Sequence, residues 1–127
     1  VPKTTPSYPV TLGINPKDAA GASKPQLGLI PAEAMTSVAR VMELGARKYG
    51  PYNWRSNKIL SMVYANAALR HLFAWISGET IDSESGEPHL AHVAACMLIV
   101  LDAMATGNMV DNRVWLPGRV IEQENDD

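Results

Sequence analysis

"HLAHVAACMLIVLDAMATG", residues 89–107, is the stretch on which the fold turns. Positions 93–101 are apolar without a break, so a helix wound from them has no face suited to water. The run is far short of the roughly 20 residues that cross a bilayer. Such a helix must be surrounded by other elements, and two more helical segments lie upstream. One covers about residues 31–48, with Met35, Val38, Met42 and Gly45 at helical spacing and "YGPYN" ending it. The other covers about residues 59–77, with Leu69, Leu72, Phe73 and Ile76 as its expected core face and Gly78 as a C-terminal cap. Two helices cannot enclose a third on every side. The expectation is therefore an all-α helical bundle completed by homo-oligomerisation, as a homodimer or homotetramer. The alternative is that the N-terminal arm and C-terminal segment cover the open side.

With 127 residues, the chain is sized for a single domain spanning 1–127. Residues 1–31 hold six of the nine prolines and no helical period, so an extended arm is expected over 1–30. The ending "EQENDD" reads as a short acidic tail over 122–127. A formal charge of −2, from 11 basic and 13 acidic residues, leaves no electrostatic footprint for duplex nucleic acid. The single cysteine, Cys96, lies in the apolar run, which suits a packing role in a reducing compartment. No basic, apolar, small-residue signal segment opens the chain, so a soluble cytoplasmic protein away from membranes is expected.

Between the second and third helices lies "GETIDSESGEPH", residues 78–89. Glu79, Asp82, Glu84 and Glu87 are hard oxygen ligands of the kind Mg²⁺ or Mn²⁺ takes, although an acidic loop can equally be solvated surface. Glu79 and Asp82 would share a face if the second helix ran one turn further. His89 and His92 are three apart and so on one helix face, able to ligate a metal, donate to a phosphate oxygen or cap the helix. No second Cys/His pair supports a zinc site, and no His-Asp dipeptide occurs. In "ALRHLFAW", residues 68–75, Arg70 and His71 stand among apolar neighbours; a buried arginine there would need an anionic partner, from the protein or a ligand.

"GARKYGPYNWRSN", residues 45–57, combines Arg47, Lys48 and Arg55 with Tyr49, Tyr52 and Trp54 and the amides of Asn53 and Asn57. Cations for phosphates and a ring for a base could together hold a nucleotide. Neither a P-loop nor a dinucleotide fingerprint is present. If the second and third helices pack antiparallel, Asp102 and Glu43 fall near the "YNW" turn, with the acidic loop at the opposite end. A head-to-tail dimer could join those two polar ends into one site.

Four segments, "NPKDAAGASKPQLGLIP" (15–31), "GARKYGPYNWR" (45–55), "AALRHLFAWISGETIDSESGEPHLAH" (67–92) and "LDAMATGNMVDNR" (101–113), together resemble the phage dATP/dGTP diphosphohydrolases. These are MazG-like enzymes of the all-α NTP pyrophosphatase superfamily, and the likeness is greatest to the MazZ type of phages that replace adenine with 2-aminoadenine. The resemblance implies an oligomeric helical bundle holding two or more Mg²⁺ or Mn²⁺ ions. It also implies hydrolysis of a purine deoxynucleoside triphosphate, preferably dGTP and also dATP, to monophosphate and pyrophosphate in the host cytoplasm. The dGMP so formed would feed 2-aminoadenine nucleotide synthesis. A broad house-cleaning dNTP pyrophosphatase and a non-catalytic helical nucleotide-binding module are the alternatives.

The superfamily's Glu-x-x-Glu helix followed by a Glu-x-x-Asp helix has only Glu79-x-x-Asp82 as a close analogue here, and His89-x-x-His92 opens the third helix where carboxylates would stand. The expected metal ligands are Glu79 and Asp82, then Glu43 and Asp102. Glu79 and His89 are the expected catalytic residues. Lys48 and Arg70 would take phosphate charge with His92, Trp54 would stack on the purine, and Asn53 or Asn57 would read its edge.

Overall fold

The computed structural model describes residues 15–115 and residue 117. Among these, residues 15–30 belong to one compact unit and those from Pro31 onward to another. In the first unit, α1 (Pro16–Ala22) is followed by a single 3-10 turn, Leu27–Leu29. The Asn15 side chain accepts from the Lys17 amide at 2.9 Å, and Pro16 occupies the first turn, where its missing N–H costs nothing. A capped helix thus stands where proline content predicts an extended arm. The acidic tail at 122–127 lies outside the described residues.

The second unit is built on α2 (Ala32–Tyr49), α4 (Ser61–Ile76) and α5 (His89–Ala105). Each lies within two residues of its predicted span. Arg47 and Lys48 sit in the last turn of α2, where cations complement the helix dipole. Gly50, at φ 89°, ends that helix, and Tyr52 takes a left-handed φ of 54° to start the short helix α3 (Asn53–Ser56). β1 (Ile59–Leu60) pairs in parallel with β2 (Met109–Val110), Ile59 opposite Met109, tying the entry of α4 to the exit of α5. Asn112 completes that tie. Its side-chain oxygen accepts from the Met62 amide at 2.9 Å and the Ser61 hydroxyl at 3.0 Å, so the first turn of α4 is capped from the far end of the unit.

Packing depends on small residues. Ala91 and Ala95 of α5 meet Val38 and Val41 of α2, while the wholly buried Ala103 packs with Trp54 and Ile59. Alanine stripes let helices approach closely but enclose little apolar area. The predicted core face of α4 is accordingly revised: Leu69, Phe73 and Ile76 are exposed in the chain, Leu72 is half-buried, and Ala68 is the buried apolar residue. On α5, Met97, Leu101 and Met104 also face outward, so α2 and α4 cover only part of the all-apolar helix. No helix among the described residues is long and apolar enough to cross a membrane.

Candidate metal centre

α4 and α5 run antiparallel, bringing His71 near the end of one beside His89 and His92 at the start of the other. The acidic loop joins these two ends. It does not extend α4 as one reading of Glu79-x-x-Asp82 requires. The helix stops at Ile76, Gly78 takes φ 104°, and the loop closes as a small hairpin through a bridge between Ile81 and Pro88. The Asp82 amide donates to the Glu87 carbonyl at 2.9 Å, and the His89 amide to the Thr80 carbonyl at 3.0 Å. Arg40 of α2 holds the loop from outside, its Nε 3.3 Å from the Glu87 carboxylate.

All three histidines of the chain meet here. His89 is buried, with Nε2 at 2.9 Å from Glu79 Oε1 and Nδ1 at 2.9 Å from His71 Nδ1. A carboxylate can only accept, so a neutral His89 donates from Nε2, accepts at Nδ1 and leaves His71 a lone pair at Nε2. The His71 ring stacks on His92, centroids 4.2 Å apart and planes 5° from parallel. His92 Nε2 lies 2.7 Å from Ser85 Oγ and 3.4 Å from Asp82 Oδ2, and the Ser85 hydroxyl is 3.1 Å from the same carboxylate oxygen.

Electrostatics favour the neutral rings of His71 and His92 and the ionised form of Asp82. Burial lowers the pKa of His71, and the neighbouring His92 adds to it against the opposing pull of Asp82. Burial likewise lowers His92, outweighing Asp82. For Asp82 burial acts upward, but the Glu84 amide, the Ser85 hydroxyl and the adjacent imidazoles together hold it below the ordinary carboxylate range. Neutral imidazoles beside an ionised carboxylate are in the protonation state that metal ligation needs.

Among the described residues, two groups each gather potential ligand atoms within 4.8 Å: His71, Asp82 and His92, and Glu79, Asp82 and His89. The first mixes imidazole nitrogen with carboxylate oxygen, a donor set that fits a divalent ion, whereas in the second both His89 nitrogens are taken up by Glu79 and His71 and the carboxylates are the free donors. Glu79 and Asp82 are therefore together, brought there by the hairpin loop and not by a shared helix face. Glu43 and Asp102 belong to neither group.

Comparison with known proteins bears on what such a cluster serves. Residues 14–113 match the family described as dATP/dGTP diphosphohydrolase, N-terminal. The chain belongs to that family. A protein of Salmonella phage PMBT28 named dATP/dGTP diphosphohydrolase is 32% identical over 92 residues, which cover 72% of this chain and 31% of that protein. The chain thus spans about a third of the length of the relative it matches. No solved structure matches.

The second polar end of this member of the dATP/dGTP diphosphohydrolase family also lies within the matched segment. Asp102 falls at the "YNW" turn, as antiparallel helices predict. There it accepts from Trp54 Nε1 at 2.7 Å and from Arg55 Nε and Nη2 at 2.7 and 2.8 Å. The Arg55 hydrogen bonds, joined by that of Trp54, bring the Asp102 pKa down to about 2. Both its oxygens are thus committed within the chain. Trp54 is buried, and its remaining surface lines a groove of about 380 Å³ with Tyr52, Met35, Met42, Leu98 and the exposed Glu43. Asn53 is half-buried.

Arg70 is exposed, correcting the buried position its apolar neighbours suggest, and Lys48 is exposed too. Both still act on the cluster: the charge of Arg70 is felt at His71 and that of Lys48 at His92. Sequence reasoning left His71 and Ser85 out of the site. His71 stands beside Arg70 on a mostly apolar helix, and nothing in the spacing says that it meets residues 18 and 21 positions away.

Proposed function

We propose that the chain carries the hydrolytic centre of a purine deoxynucleoside triphosphate diphosphohydrolase, cleaving between the α- and β-phosphates to release monophosphate and pyrophosphate. The observation that carries this reading is the meeting of every histidine with Glu79 and Asp82 inside the segment that matches the family. Divalent ions bound there, Mg²⁺ or Mn²⁺ among them, would supply charge screening and activation of water. Asp82 and Glu79 are the carboxylates that would hold them. Lys48 and Arg70, exposed and electrostatically coupled to the histidines, would draw in and orient the phosphate chain.

His71 presents a free ring nitrogen that would be a further ligand for such an ion. His89 holds the His71 ring from behind and is itself held by Glu79. That makes His89 a positioning group, while Glu79 would serve both metal and relay. The 380 Å³ groove at the Trp54 end is sized for a purine between Tyr52, Trp54 and the methionines, and a head-to-tail dimer would join it to the metal centre of a second copy. Glu43 on its lining could accept from the N–H groups on the guanine edge, which adenine lacks, favouring dGTP. The dGMP released in the host cytoplasm would then feed synthesis of 2-aminoadenine nucleotides.

We also propose that the outward stripes of α4 and α5, with Phe73, Ile76, Leu101 and Met104, pair between copies in a homodimer or homotetramer. A single monomeric species in light scattering at micromolar concentration would remove this part.

The deciding experiment is incubation with each deoxynucleoside triphosphate and Mn²⁺ or Mg²⁺, with products resolved by chromatography. Monophosphate and pyrophosphate from dGTP, and more slowly from dATP, are the expected products. Equal rates on all substrates would favour the house-cleaning alternative. Thermal stabilisation by nucleotide without any monophosphate would favour the non-catalytic module.

A further inference from the structure

The metal centre of the proposed function has a composition with consequences of its own. An ion seated at Asp82 alone with loop carboxylates would be bound by oxygen, and Mg²⁺ would serve. Asp82, held by the Glu84 amide and the Ser85 hydroxyl at 3.1 Å each, instead shares its surroundings with imidazoles. His92 Nε2 lies 3.4 Å from Asp82 Oδ2, and His71 stacks on His92 with its own ligand atom in the same group. Two ligands bonded to one ion at about 2.1 Å, at angles between octahedral and tetrahedral, are separated by about 3.0–3.4 Å. The His92–Asp82 spacing falls at the upper end of that window.

The ring of His71 is also secured as metal-bound histidines are. Its Nδ1 meets His89, which is fixed by Glu79, so a hydrogen-bonded chain ending in a carboxylate orients the free nitrogen. Two imidazoles and one carboxylate leave coordination positions open for water and for phosphate oxygens. Mg²⁺ binds oxygen and sheds water reluctantly, so it gains little from two ring nitrogens. Later first-row ions gain a great deal.

We infer that His71, His92 and Asp82 form a nitrogen-rich site that selects Co²⁺, Zn²⁺ or Mn²⁺ over Mg²⁺. Affinity rises from Mn²⁺ to Co²⁺ in line with the ligand-field order. The inference rests on reading the cluster as a metal centre, but not on the identity of the substrate.

The test is titration of chelator-treated, untagged protein with Co²⁺, followed by its visible absorption bands. One equivalent should bind, displaced by stoichiometric Zn²⁺ and not by a hundredfold excess of Mg²⁺. His71→Gln and His92→Gln should each weaken Co²⁺ binding by at least about 10-fold, with circular dichroism unchanged. Should either variant fail to fold, broadening of the histidine ring proton resonances of the wild-type chain by Mn²⁺ reads the same contact. Displacement of Co²⁺ by equimolar Mg²⁺, absence of Co²⁺ binding, or full binding in both folded variants would overturn the inference. The two proposals fail separately. Tight Co²⁺ binding with no nucleotide hydrolysed removes the substrate reading alone, and Mg²⁺-driven hydrolysis without Co²⁺ binding removes the selectivity alone.

Discussion

The two ends of the α4–α5 pair are both polar, yet their charges are satisfied in opposite ways. Around Asp102, every neighbour is a pure donor: the Trp54 indole N–H and the two guanidinium nitrogens of Arg55 saturate the carboxylate. Around Asp82, only the Glu84 amide is a pure donor; the other neighbours are a hydroxyl and imidazoles, groups that carry lone pairs of their own. The first arrangement is closed and pins α3 to α5. The second retains donor capacity directed at a common point, which is what a binding site needs. A count of acidic residues along the chain does not distinguish the two; the identity of the partners does.

Perturbing one end and reading the other tests this contrast. The largest effect is expected from Trp54→Ala. It empties the cluster with Ile59 and Ala103 and should cost about 3–5 kcal/mol of stability by urea unfolding, the usual range for a buried tryptophan. Next, Asp82→Asn should lower monophosphate release by at least about 100-fold, because loss of a group merely supporting a ligand already costs up to about that much. Retention of more than a tenth of the wild-type rate would remove Asp82 from the site. Asp102→Asn should lower the melting temperature by a few degrees and leave Co²⁺ affinity unchanged. A matching loss of Co²⁺ affinity would show that the ends are not independent.

Acid titration sharpens the same point. The Asp102 pKa lies at about 2 in the folded chain, below its unfolded value of about 3.9. Its contribution to stability is therefore complete above the unfolded value and disappears as pH falls through the folded one. The stability gap between wild type and Asp102→Asn should stay constant from pH 7 to 5 and close between about pH 4 and 2. The smallest effect concerns Cys96. Burial pushes its thiol upward in pKa, so iodoacetamide at pH 7.5 should label the folded chain far more slowly than the unfolded one.

The helices of the second unit were legible because their signals are local. Periodicity and terminal glycines place α2, α4 and α5 within two residues, and the antiparallel reading puts Asp102 at the Trp54 turn. Which apolar stripe is buried was not legible. Leu69, Phe73 and Ile76 are as regular as any core face, but Ala68 and Ala95 permit the closest approach and so take the interior. The short α1 escaped because proline content outweighed the Asn15–Pro16 start signal.

By itself, the sequence determined that this chain is helical, which residue types it brings to chemistry and which family it joins, since these depend on neighbours along the chain and on ordered motifs. Only the tertiary structure decided that His71 meets His89 and His92, that Asp102 is consumed by Arg55, and that Arg70 faces water. Those outcomes depend on how two helices reverse and in what register they pack, and a change of one residue in that register would turn each of these side chains to a different neighbour.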